Sequence, residues 1–123
     1  MRKEFSGGWV TVTDDHTQII CGGSITYNDH HACRELREYI QSSICDGMVI
    51  NVSPMEFMSS PFISVLAFVA KYCVNTGITG IKLQAKAGHE QQETLASNLK
   101  LVMPNIQIIG MSVPNHDNYQ FPI

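Results

Sequence analysis

A chain of 123 residues, 44% hydrophobic and 15% charged, holds enough apolar sequence to bury a core as one domain, which excludes disorder as a description of the whole. A net charge of −3 with no lysine- or arginine-rich run leaves no electrostatic footprint for nucleic acid or an anionic membrane. The longest apolar stretch, residues 62–70, is too short to cross a bilayer, and no apolar run follows Arg2 and Lys3; neither membrane insertion nor a secretion signal is expected, and the expected compartment is the cytoplasm.

Residues 9–13 read W-V-T-V-T, with the period-two pattern of a strand. Asp14-Asp15-His16 is a polar turn, and residues 17–21 (T-Q-I-I-C) complete an antiparallel hairpin that Gly22-Gly23 ends. From Asn28 the period changes. Ala32, Leu36, Tyr39, Ile40 and Ile44 form the stripe of an amphipathic helix, capped by Thr26 or Asn28, with Asp29 suited to its positive end. Asp46-Gly47 stops it, and residues 48–52 (M-V-I-N-V) read as a central strand buried on both faces.

Ser53-Pro54 breaks that strand, and Ser60-Pro61 starts a second helix, serine as N-cap and proline at N1. Phe62, Val65, Leu66, Val69 and Cys73 form one face of this helix, and Asn75-Thr76-Gly77 ends it. A strand over residues 81–85 leads to a third helix from Glu90, with Leu95, Leu99 and Val102 on one side. Pro104 closes that helix, and residues 106–109 form the last strand. The order β-β-α-β-α-β-α-β implies an α/β fold with a mixed, mostly parallel sheet and an antiparallel leading hairpin. One domain is expected over residues 1–123, its core at about 9–110 and residues 111–123 an irregular tail.

The chemistry-bearing residues are scattered. Cys21, Cys33, Cys45 and Cys73 lack zinc-site spacing and read as reduced, structural thiols. His30, His31 and Cys33 suggest a metal or small-molecule module, but only His30 and Cys33 share a helical face. Phosphate-loop, nucleophile-elbow and zincin patterns are absent from the sequence. The reading is therefore a protein that binds without catalysing, with no metal and no cofactor.

The junction at residues 51–72 carries the functional reading. Ser60 stands where a helix presents unpaired N–H groups, so its hydroxyl is either a simple cap or a phosphorylation site at the positive end of the dipole. Ile63, Ala67 and Phe68 form a second apolar stripe, which either packs on a neighbouring helix or docks a partner. Met55 and Met58 suit both roles.

The layout and this segment resemble the STAS domain, the family of bacterial anti-sigma factor antagonists and of the cytoplasmic domains of sulphate transporters. Phe57-Met58 takes the place of the family's phenylalanine and aliphatic residue, Ser59 that of its aspartate, and Ser60 that of its phosphorylated serine. Pro61 falls on the family's second serine and Phe62 on its glycine, while residues 63–66 continue the match and Gly23-Ser24-Ile25-Thr26 resembles the turn before its first helix. The resemblance covers residues 9–109. It implies a regulatory binding protein resembling an anti-sigma factor antagonist, with an anti-sigma factor or a serine kinase or phosphatase as partner. Ser60 is then the phosphorylation candidate and Ser59 the fallback. Glu56, Phe57, Met58, Pro61, Phe62, Ile63 and Phe68 are the partner-binding candidates, and a homodimer stays open. The alternative is a structural STAS subunit of a lipid-transport or stressosome-like complex, without phosphorylation.

Overall fold

The computed structural model describes residues 2–5, 7–25 and 30–111. Its elements are β1 (Arg2–Phe5), β2 (Gly8–Val12), β3 (Gln18–Ile25), α1 (His30–Ser43), β4 (Val49–Asn51), β5 (Met55–Met58), α2 (Ser60–Thr76), β6 (Lys82–Gln84), α3 (Glu90–Val102) and β7 (Gln107–Ile109). One seven-stranded sheet runs β1-β2-β3-β4-β6-β7, with β5 alongside β3. The β1–β2 and β2–β3 pairs are antiparallel, and every pair from β3 onward is parallel. This is an α/β protein with three helices and a mixed, mostly parallel sheet.

Each crossover from β3 to β4, β6 and β7 steps the same way across the sheet, so right-handed connections put all three helices on one face. There α1 packs against α2, and α2 against α3. The strand registers show the consequence. Ile19, Ile50 and Leu83 stand side by side and are buried under the helices, whereas the next residues, Ile20, Asn51 and Gln84, are only half-buried on the opposite face.

The helical periods read from the sequence hold. In α1 Leu36 and Ile40 are buried and Ala32 and Tyr39 half-buried, with Ile44 buried just past the helix end; all five face residues of α2 and Leu95 and Leu99 of α3 are buried, while Val102 is half-buried. Gly77 ends α2 in the left-handed conformation at φ 78°, which glycine adopts without a Cβ clash. The expected capping of α1 by Thr26, Asn28 and Asp29 lies outside the described residues, as does the expected tail from residue 112 onward.

Two strands were not expected. β1 joins the edge of the leading hairpin, held by Phe5 in the core beside Tyr39, by Arg2 stacked 4.1 Å from the Trp9 ring centroid, and by the Lys3–Glu35 ion pair. The second is β5. Gly22-Gly23 does not end the hairpin, because β3 runs through it to Ile25 and its far end pairs with β5 across a register shift at Gly23/Ser24. The glycines are there for space. A Cβ on Gly22 would collide with the Trp9 ring, and one on Gly23, at φ 75°, would approach the Gly7 carbonyl oxygen to 2.6 Å.

Candidate functional site

β5 and the start of α2 form the rim of the molecule where the resemblance locates its site. Asn51 Oδ1 accepts from the Ser53 hydroxyl at 2.6 Å and from the Ser53 amide at 3.0 Å, an Asx-type turn that ends β4. After Pro54 the chain resumes as β5. Its outer side is held by side chains from the start of α3. Gln91 Oε1 accepts from the Met58 amide at 2.8 Å, and the His89 ring lies with Nε2 2.9 Å from the Glu56 carbonyl oxygen. His89 Nδ1 also accepts from the Gln92 amide as the N-cap of α3, so the pairing fixes the tautomer with the proton on Nε2. Gln92, fully buried, accepts from the Lys86 amide at 2.6 Å and donates to the Met55 carbonyl at 3.1 Å.

The cap of α2 falls one residue earlier than expected. Ser59, not Ser60, is the N-cap: its backbone is extended, and its Oγ accepts from the Phe62 amide at 3.3 Å. The Ser59 amide donates to the Ile25 carbonyl at 3.0 Å, tying the helix start to the end of β3. Pro61 therefore stands at N2, where the missing N–H is still one that the first turn leaves unpaired. Ser59 is buried at 9% exposure and its oxygen serves the cap. Ser60, the first helical residue, is exposed.

The partner-binding candidates divide by burial. Glu56 and Phe57 are exposed, Phe57 at 43%, and Pro61 and Ile63 are half-buried. Phe68 is 55% exposed on the outer side of α2. Met58 and Phe62 are corrected to core residues, at 1% and 0% exposure. Met58 ends β5 pointing inward, and Phe62 faces the core from the first turn of α2, in line with Val65, Leu66 and Val69. The second stripe of α2 is likewise split: Ile63 and Ala67 pack at the margin of the core, and Phe68 stands outside it.

Chain patterning did not reveal what flanks Phe68. A groove of about 400 Å³ runs between α1 and α2, lined by Arg34, Arg37, Pro61, Ser64, Val65 and Phe68. A second, of about 220 Å³, lies on the α3 side of Phe68, lined by Ala67, Lys71 and Val102 among others. The Arg37 guanidinium sits 5.7 Å from the Phe68 ring centroid, a cation–π distance.

His31 is exposed and the His30 side chain lies outside the described residues; among the described residues no group of three His, Cys, Asp or Glu side chains is placed to hold a metal ion. The four cysteines are free thiols. Burial pushes the Cys21 thiol up to about 12, and burial with the nearby Asp46 carboxylate pushes Cys73 up to about 11. Both fit the structural role expected of them. Cys45 is exposed and does not fill the core. Iodoacetamide applied to the folded protein should therefore modify Cys45 first and spare Cys21 and Cys73 until unfolding; peptide mass mapping checks this, and equal labelling of Cys21 and Cys45 would contradict it.

No protein-family model matches the chain, and no curated protein matches it. Among the described residues no helix is long and apolar enough to cross a membrane.

Proposed function

We propose that this chain is a STAS-like, non-enzymatic regulatory protein of the cytoplasm that binds a partner through the exposed start of α2 and is switched by phosphorylation of Ser60. The observation that carries the reading is the division of labour between the two serines. Ser59 makes the cap, which leaves the Ser60 hydroxyl exposed on the first helical residue, beside the exposed Glu56 and Phe57. A phosphate at Ser60 adds about −1.5 to −2 charges. The positive end of the α2 dipole tolerates that charge, whereas an apolar partner surface does not. Release then follows from desolvation and repulsion.

The resemblance supplies the partner class, an anti-sigma factor or a serine kinase or phosphatase of a partner-switching system. Phe62 is compatible with it, because its bulk faces the core and leaves the approach to Ser60 open. One observation favours the second reading, a structural STAS subunit of a larger complex: the aspartate's place is taken by Ser59, whose oxygen is spent on the cap. Intact-mass analysis and peptide mapping of the protein from its native cells separate the two. The switch predicts one phosphate, mapped to Ser60. A protein that stays wholly unmodified, through every growth phase, while in complex with its partner contradicts the switch and supports the structural subunit.

A further inference from the structure

The outer surface of α2 carries a charge pattern that the chain as a whole does not. The net charge is −3, yet no acidic residue lines either groove beside Phe68, and three of the chain's eight basic residues, Arg34, Arg37 and Lys71, do. Lys71 is the single charged residue in α2. Among the described residues none of the three cations is in an ion pair; the pairs formed are Arg2–Glu4 and Lys3–Glu35, on the β1 side. Between the cations stands Phe68, with the apolar Pro61 and Val65 on the floor of one groove and Ala67 and Val102 on the other. The surface is thus an aromatic ridge with apolar flanks and cations on both sides.

We propose that this ridge docks an acidic amphipathic helix of the partner protein, an inference that rests on the binding role given above to α2 and specifies the chemistry of what binds there. The partner helix lies along a groove flanking α2, continuing the helix-on-helix packing of α1 and α3. Its apolar stripe covers Phe68, and its carboxylates meet Arg34 and Arg37 on one side and Lys71 on the other. Arginine suits this role, since its planar fork donates from two nitrogens to the two oxygens of a carboxylate. The same pattern explains how modification of Ser60 acts at this surface. Ser60 directly precedes Pro61 and lies one turn before Ser64, both of which line the α1–α2 groove, so a phosphate there competes with the partner's carboxylates for the same cations.

The test uses the full chain, isotope-labelled for amide NMR, and a synthetic amphipathic helix with a leucine stripe flanked by glutamates. A second peptide carries lysine in place of each glutamate. The glutamate peptide is expected to give saturable shifts at Arg34, Arg37, Ser64, Phe68 and Lys71 that fade as salt is raised, and the lysine peptide none. Arg34→Glu with Arg37→Glu should weaken the glutamate peptide about tenfold or more, and Phe68→Ala by a similar factor, with both variants keeping the wild-type amide spectrum elsewhere. Equal binding of the two peptides, or no saturable shift on this face, overturns the proposal. A Ser60→Asp arm keeps the two ideas separable. If Ser60→Asp binds the glutamate peptide as well as wild type does, the docking surface stands and the Ser60 switch falls. If the glutamate peptide fails on wild type while Ser60→Asp still alters partner capture in cells, the switch stands and the docking chemistry falls.

Discussion

Phe62→Ala is expected to destabilise the protein by about 3–5 kcal/mol, the range for truncating a large buried aromatic. Phe62 is fully buried beneath the first turn of α2, and the same residue supplies the amide that the Ser59 cap satisfies. Emptying its site therefore removes packing where the helix is tied to β3. Phe68→Ala, six residues further along and on another side of the same helix, should change stability by no more than about 0.5 kcal/mol, because the ring is mostly outside the core. Chemical denaturation of both variants checks the contrast. Equal losses at the two positions would mean that α2 does not divide into an inner and an outer face as described.

Gln92→Leu is the second large effect. The leucine keeps much of the volume but removes the partners of the Lys86 amide and the Met55 carbonyl, and the weaker bond to the Ser53 carbonyl at 3.5 Å. The buried Met55 carbonyl left without its partner costs about 1–3 kcal/mol, while the Lys86 amide, on an exposed residue, can turn to water. The loss should be local before it is global, since these bonds hold β5 against α3. Hydrogen exchange at the Met55, Phe57 and Met58 amides is expected to accelerate in the variant more than exchange at Ile50 or Leu83. A variant with unchanged stability and unchanged exchange in β5 would show that the clamp contributes nothing.

The parts of this architecture legible in the sequence are those written in local periods. Leu36 and Ile40, or Phe62, Val65, Leu66 and Val69, repeat at helical spacing because each helix lays one stripe on the sheet; the run at residues 48–52, which reads as buried on both faces, is instead covered on one, with Met48, Ile50 and Val52 buried and Val49 and Asn51 half-buried on the open face. β1 was illegible because Arg2, Lys3 and Glu4 show no apolar alternation; its place is fixed by tertiary contacts to Trp9, Tyr39 and Glu35. β5 hid behind two breakers. Ser53-Pro54 interrupts the strand that it continues, and Gly22-Gly23 has the look of a strand end, whereas the glycines let β3 pass beneath Trp9 and reach it. At the site, two serines before a proline satisfy the same capping pattern, and only the hydrogen bond to the Phe62 amide distinguishes them. The cationic grooves were beyond reach, since Arg34 and Arg37 lie on α1 and Lys71 on α2, and they come to flank Phe68 only once the helices pack side by side.

Partner capture from native cells, with wild type, Ser60→Ala and Ser60→Asp as bait at matched salt, bears most directly on the account as a whole. Wild type and Ser60→Ala should retain the same protein in equal amount, and Ser60→Asp should retain about tenfold less or lower, the scale of a charge set into an apolar contact. Equal retention by all three baits would contradict the claim that charge at residue 60 governs what α2 binds.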